Sequence, residues 1–185
     1  MNKYLIIGIT LISLSTVLFV KNNYEETQAG IASDEILKNI KNDEIKNETI
    51  TINNKKETIT IGNYNYIGTL LIPSLNLELP IIDKCDYKRL KNAPCKYYGA
   101  IKTNDLIICG HSYKKHFKYL KELKQGDKII ITDSNNEVYI YEVLELEVLE
   151  ATDVEKMINN DFDLTLYTCT DGGLRRLAVR SNRIN

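Results

Sequence analysis

The chain has 185 residues, 43% of them hydrophobic, and a formal net charge of −1. This length allows one domain with its own core, and a pI near 6.2 gives no basic surface of the kind that nucleic-acid-binding proteins need. We therefore exclude nucleic acid as a partner. Four cysteines are too few for a disulfide scaffold, and none has the spacing of a zinc site, so the fold must depend on an apolar core.

The first element in chain order is an apolar run from Tyr4 to Val20, flanked by Lys3 and Lys21. At 1.5 Å per residue this run spans about 25 Å, which is at the short end for crossing a bilayer. No cleavage site with small residues follows it, so we predict an uncleaved transmembrane helix over residues 1–22. A cleaved secretory signal is the alternative, because three hydroxyl residues lower the hydrophobicity of the run.

Residues 23–60 are rich in Asn, Lys, Glu and Ile, with charges of both signs. Such composition is typical of a solvated spacer, or stalk, between a membrane and a domain. Ser33 can cap a short helix with Ile36, Leu37 and Ile40 on one stripe, which would lie loosely on the domain or the membrane surface. An inhibitory or docking role for this segment is the alternative.

From residue 61 onward, short apolar runs alternate with turn residues, which indicates a mainly β domain over residues 61–185. A capping box at Thr152 to Glu155 predicts a short connecting helix that ends at Ile158. The predicted strands before a terminal hairpin are Ile67–Leu71, Leu75–Ile82, Asp105–Cys109, Lys128–Thr132, Val138–Val143 and Glu145–Leu149. Including the hairpin, about eight strands are expected, and this number can close into a barrel that side chains fill.

The terminal hairpin, from Leu164 to Arg180, carries a candidate nucleophile. Leu164 and Leu166 mark one face of its first strand by their period of two. Cys169 has the opposite parity, so its thiol is predicted to point away from the core.

Gly172 and Gly173 predict the loop of this hairpin, because a two-residue turn of the favoured hand requires positive φ angles. Counting outward from the loop pairs Cys169 with Arg176, and Arg180 shares that face. A guanidinium opposite a thiol can stabilise a thiolate or an oxyanion that forms beside it. If the turn began one residue earlier, Arg176 would be a diagonal neighbour on the same face.

These residues resemble a known family. Thr165 to Cys169, Thr-Leu-Tyr-Thr-Cys, matches the Thr-Leu-x-Thr-Cys signature of sortases, the Gram-positive cysteine transpeptidases, and Arg176 to Arg180 is similar to their arginine strand. Cys109 to His111 is similar to the Gly-His that carries the family's histidine, and Gly68 to Pro73 to its opening strand. The resemblance covers roughly residues 61–185 and implies a sortase β-barrel.

His111 follows a strand end and Gly110, at a barrel rim where side chains from different strands converge. This is the position expected of a proton carrier. The second histidine, His116, lies in a Lys-rich piece that is predicted to be helical, and we expect it on a solvated surface.

The remaining cysteines give weaker signals. Cys85 and Cys95 flank a Lys-rich loop, so a disulfide between them is conceivable, and Cys109 on a core strand is expected to act as a small hydrophobe. None of the three resembles a second nucleophile. The alternating glutamates between Glu145 and Glu150 are typical of the solvated face of a strand, so we predict no metal and no cofactor.

The resemblance implies acyl transfer. Cys169 would cleave a Leu-Pro-x-Thr-Gly-like sorting signal of a surface protein between Thr and Gly, forming a thioester that a cell-wall precursor amine opens. His111 would protonate the leaving amine, and Arg176 would hold the oxyanion or the backbone of the signal. Three further hairpin residues are candidates for substrate binding: Tyr167, Thr168 and Arg180.

The family also implies a single-pass protein of the cell membrane with an extracellular catalytic domain. The lysines on both sides of the apolar run make a charge-based argument for orientation weak. Three alternatives stay open: a cysteine peptidase that hydrolyses the thioester, a non-catalytic peptide-binding surface module, and a pilin-polymerising sortase. Many sortases of the last kind carry a C-terminal anchor, whereas this sequence ends at Asn185. The signal, the acceptor and the subclass are not determined by the sequence.

Overall fold

The computed structural model describes residues 3–47 and 57–185, so residues 48–56 of the predicted spacer and the first two residues of the predicted anchor lie outside the described residues. A long helix, α1 (Lys3–Asn47), precedes a β domain. The strands are β1 (Ile59–Ile61), β2 (Tyr64–Ile72), β3 (Leu77–Ile82), β4 (Cys95–Tyr98), β5 (Leu106–Gly110), β6 (Lys128–Asp133), β7 (Val138–Glu150), β8 (Leu164–Thr170) and β9 (Arg175–Arg183). The two short helices are α2 (Tyr87–Leu90) and α3 (Val154–Ile158).

Eight of the described strands close into a barrel in the order β2-β3-β4-β5-β8-β9-β7-β6, because β6 pairs back onto β2. The short strand β1 is an addition that pairs only with β2. The β3–β4 and β5–β8 pairs are parallel, and the other pairs are antiparallel. The prediction of a closed barrel of roughly eight strands is confirmed.

The interior of the barrel is filled by aliphatic and aromatic side chains from all sides. Leu70, Leu106, Leu166 and Val179 are fully buried in one cluster. Burying each such side chain stabilises the folded state by about 1.5–3 kcal/mol. The period of two that predicted Leu164 and Leu166 to face the core is therefore confirmed.

Three strands differ from their predictions. β1 was not predicted, because most of it lies in the predicted spacer. β7 is one continuous strand with a register shift between Val143 and Glu145, where two strands were predicted. The shift breaks the period of two in the sequence, which is why the run resembled two strands. β4 was not predicted, because only one of its four residues is buried and its sequence, Cys-Lys-Tyr-Tyr, shows no apolar alternation. The predicted helix ending at Ile158 is confirmed as α3, but the predicted capping box is not formed, because the N-cap is Asp153 and its side chain makes no capping hydrogen bond.

Helix α1 runs without a break from the apolar segment onto the barrel. Its N-terminal part is long and apolar enough to cross a membrane and is not buried within the protein. Its C-terminal part is not a solvated spacer as predicted, because Ala29, Ser33, Leu37 and Ile40 are buried. Their spacing of three and four residues places them on one helix face, which packs against the β domain. The predicted stripe was correct, but it is docked rather than loose. The prediction of a short helix capped by Ser33 was wrong, because Ser33 lies inside the continuous helix α1.

The docked helix covers His116, which corrects the prediction of a solvated surface position. The His116 ring is fully buried, with Nε2 3.0 Å from Ser33 Oγ. The Ser33 hydroxyl donates a 2.7 Å hydrogen bond to the carbonyl of Asn92. Burial lowers the pKa of His116 to about 4, so this histidine is neutral at neutral pH. The domain boundaries at residues 22 and 60 stay a prediction.

Candidate active site

The parallel pairing of β5 with β8 brings the two chemical motifs together. Its last pairs are Cys109 with Tyr167 and Gly110 with Thr168. His111 and Cys169 each come one residue later, and neighbouring strands lie about 4.8 Å apart. The register therefore places His111 and Cys169 side by side at the same end of the barrel.

A cavity of about 470 Å³ opens at this end of the barrel. His111 and Cys169 both line it, together with Thr168 and the hairpin loop. The thiol of Cys169 is partly exposed, as its predicted position outside the core requires. A volume of this size lies within the range of small-ligand sites and can hold a few residues of an extended peptide.

A hydrogen bond links the ends of β5 and β8, directly before His111 and Cys169. The Thr168 hydroxyl donates a 2.8 Å hydrogen bond to the carbonyl of Gly110. A Cβ atom at Gly110 would lie 2.5 Å from the ring of Phe117, so only glycine fits there. Gly110 is therefore required by close packing of the loop that follows His111, rather than by its backbone conformation.

The His111 ring is held between two tyrosines. The edge of Tyr87 meets it with ring centroids 5.9 Å apart, and Tyr113 lies against it at 4.8 Å. Burial, and then the charge of Lys91, lower the pKa of His111, which favours the neutral imidazole at neutral pH. Nε2 is buried and has no hydrogen-bond partner among the described residues. No side chain of the described part of the chain therefore occupies this nitrogen.

The hairpin pairs Cys169 with Arg176, which confirms the predicted register. Gly172 and Gly173 have φ angles of 68° and 96°, as the predicted turn requires. The Arg176 guanidinium donates hydrogen bonds of 2.8 Å to the carbonyl of Gly173 and 3.1 Å to that of Arg175. Arg176 therefore braces the loop beside Cys169 and does not line the cavity in this arrangement.

Arg180 lies away from the cavity and is 1% exposed. Its guanidinium donates to the Thr165 hydroxyl at 3.0 Å and to the carbonyl of Lys156 at 2.9 Å. It also forms a 3.1 Å ion pair with Glu147. These contacts connect β9 with β8, β7 and α3, so Arg180 joins elements of the fold and has no access to a peptide in the cavity.

The two remaining candidates differ in position. Thr168 lines the cavity but is buried, and its hydroxyl is already bonded to Gly110. Tyr167 packs edge-on against Tyr97 with ring centroids 5.4 Å apart, and burial strongly raises its pKa. Tyr167 therefore packs against β4 and does not line the cavity.

Several cavity residues were not singled out from the sequence. Tyr113, Lys118 and Lys121 line the cavity, and Tyr87 contacts the ring of His111. The sequence could have indicated the two lysines, because they belong to a Lys-rich segment that directly follows His111. Tyr87 gave no signal, because it belongs to a separate loop. Within residues 3–47 and 57–185, no group of His, Cys, Asp and Glu side chains is arranged to hold a metal ion.

Comparison with known proteins agrees with this geometry. A family model described as "Sortase domain" matches residues 70–184, which include the barrel strands from β3 onward, the cavity and the hairpin. Sortase A of Bacillus anthracis is 32% identical over 111 residues, which are 56% of this chain and 51% of that protein. The chain thus spans about half the length of the curated relative it matches.

Solved structures give the same result. Sortase A from Corynebacterium diphtheriae superposes with a TM-score of 0.58 and 28% identity, over 67% of this chain and 63% of that chain. Sortase C1 from Streptococcus suis superposes with a TM-score of 0.55 and 26% identity, over 65% of this chain and 73% of that chain. The similarity includes both an A-type and a C-type enzyme, so it does not select a subclass.

Proposed function

Because the chain belongs to the sortase family, we propose that it is a cysteine transpeptidase that cuts the sorting signal of a surface protein and joins the protein to a cell-wall amine. One observation carries this proposal. The parallel β5–β8 register sets His111 beside Cys169 at a cavity, which is the arrangement that nucleophilic acyl transfer needs.

In the first step, the sulfur of Cys169 attacks the Thr carbonyl of a Leu-Pro-x-Thr-Gly-like signal. The lowered pKa of His111 keeps the imidazole neutral at rest, so its unprotonated ring nitrogen can accept the thiol proton. The resulting imidazolium then protonates the leaving Gly amine, and a thioester remains. In the second step an incoming amine gives a proton to His111 and displaces the thiol.

Arg176 would stabilise the oxyanion of each tetrahedral intermediate. To do so it must release the Gly173 carbonyl, which lies three residues back in the same hairpin. Its position opposite Cys169 supports this role, because directly opposed residues hold their Cβ atoms about 4.5–5.5 Å apart. Substrate binding would thus exchange a loop contact for a contact with the reacting group.

The docking of α1 supports a site that faces the membrane. Glu25 and Glu26 of α1 form ion pairs with Lys91 at 3.5 Å and Lys114 at 3.9 Å, and Lys114 is close to His111 in the chain. Glu26 follows the apolar run by six residues, which is about 9 Å of helix. We propose that the domain lies outside the cell, with its cavity near the membrane surface and within reach of a membrane-held signal and acceptor.

Product analysis tests the function. The protein is incubated with a Leu-Pro-x-Thr-Gly peptide, with and without a glycine-based amine, and the products are identified by mass spectrometry. The proposal expects cleavage between Thr and Gly and a joined product when the amine is present. Hydrolysis that is unaffected by amine would indicate a peptidase. Binding without cleavage would indicate a peptide-binding module.

A further inference from the structure

Three cysteines that acyl transfer does not use lie together beside the site. Cys85 precedes α2, Cys95 begins β4 and Cys109 lies in β5. Cys95 and Cys109 are directly paired on the two strands, and the Sγ atoms of Cys85 and Cys109 are 2.7 Å apart. All of them are free thiols, and only Cys85 is exposed.

We propose that Cys85 and Cys109 are a redox modification site, at which an external organic disulfide converts the two thiols into a reversible intramolecular disulfide. The thiols of the pair are already in contact. The Cys95 thiol is buried and donates instead to the carbonyl of Ala93 at 3.4 Å. This geometry favours the Cys85–Cys109 pair over the Cys85–Cys95 pair that the sequence suggested.

The exposed thiol is the one that would meet the oxidant. The hydrogen bond from the Cys109 thiol lowers the pKa of Cys85 to about 4, whereas the hydrogen bond with Cys85 and burial raise the pKa of Cys109. Cys85 thiolate attacks one sulfur of the oxidant, and the first organic thiolate leaves. Cys109 then loses its proton and attacks the Cys85 sulfur, and the second organic thiolate leaves. Two electrons pass to the oxidant and one proton is released.

Such a disulfide would join two segments that meet at the catalytic histidine. Cys85 comes two residues before Tyr87, and Cys109 two residues before His111. The rings of Tyr87 and His111 are in edge contact. Oxidation would therefore fix the α2 loop on β5 and hold Tyr87 against the imidazole. It would also lower the conformational entropy of the unfolded chain, which stabilises the folded state.

The experiment is thiol mapping of the full chain in detergent micelles. The protein is treated with oxidised glutathione, the remaining thiols are alkylated, and the proteolytic peptides are identified by mass spectrometry. We expect a peptide that links Cys85 to Cys109, alkylated Cys95 and Cys169, and loss of the link with dithiothreitol. The midpoint of thermal unfolding should rise by several degrees on oxidation and fall back on reduction.

Two matched variants make the result specific. Cys95→Ala should form the same link, and Cys85→Ser should form none and show no rise in the unfolding midpoint. A link from Cys85 to Cys95, a glutathione adduct that persists on Cys85, or full alkylation of all thiols would overturn the proposal. The readout does not depend on transpeptidation, so its outcome is separate from that of the proposed function.

Discussion

The hydroxyl of Thr168 donates a 2.8 Å hydrogen bond to the carbonyl of Gly110, across the parallel pair formed by β8 and β5. Each of these residues immediately precedes a residue of the proposed chemistry, Cys169 and His111. The bond fixes the distance between the two strand ends at the point where they leave the sheet. We infer that Thr168 is a positioning residue rather than a contact for the substrate.

Replacing Thr168 with Val removes this bond and keeps the shape of the side chain. We expect the rate of acyl-enzyme formation to fall about 10–100-fold with little change in KM, because small displacements of reacting groups are costly. The matched control, Thr168→Ser, restores a hydroxyl and should recover most of the rate. Equal losses in both variants would show that the methyl group matters and that the bond does not.

His111→Ala should keep a Cys169 thiol that an alkylating agent can modify, but the rate of acylation should fall about 10²–10⁴-fold. The reason is that His111 is the only histidine among the described residues that line the cavity together with Cys169. If neutral His111 accepts the thiol proton, as we propose, acylation should decline as pH falls through its pKa. Since burial lowers that pKa, the decline should lie below pH 6.5, the ordinary value. A decline centred above pH 7 would contradict this role.

Arg176 and Arg180 share a face of β9, but we expect their substitutions to have different effects, one on catalysis and one on stability. Arg176→Lys keeps the charge and loses the planar fork, so we expect kcat to fall about 10²–10³-fold without loss of stability. Arg180→Ala leaves buried acceptors without a donor, at about 1–3 kcal/mol for each group, and should lower the free energy of unfolding. Urea unfolding together with peptide kinetics separates the two effects. The assignment fails if Arg176→Lys unfolds early or if Arg180→Ala is fully stable.

Because His116 is buried in its neutral form, we expect the free energy of unfolding to depend on pH. Its pKa is about 4 in the folded state and about 6.5 in an unfolded chain, so the folded state binds fewer protons between these values. The stabilising contribution is complete above pH 6.5 and is lost as pH falls towards 4, by up to about 3 kcal/mol. Urea unfolding of a protein that begins at Lys21 should show this slope, and His116→Gln should flatten it. An unchanged slope in the variant would assign the effect to other groups.

The fold was predictable where the signal is local. Alternation of apolar residues placed Leu164 and Leu166 in the core, and two glycines fixed the pairing of Cys169 with Arg176. These features depend on residues that are neighbours in the chain or across one turn. The same holds for His111 at the end of β5.

The features that the sequence did not predict depend on distant partners. His116 is buried because α1 packs over it, and its contact Ser33 is 83 residues away. Arg180 is buried because α3 presents the carbonyl of Lys156 to it. Tyr87 reaches His111 only when the α2 loop folds back onto β5. Polar or charged residues with such partners look like surface residues until the packing is known.

The most direct test of the account is the mass of the intact protein after mixing with a Leu-Pro-x-Thr-Gly peptide and rapid acid quenching. We expect a thioester adduct equal in mass to the acyl fragment that ends in Thr. Peptide mapping should place it on Cys169, and Cys169→Ala should show none. An adduct on Cys85, Cys95 or Cys109, or cleavage that persists in Cys169→Ala, would contradict the account.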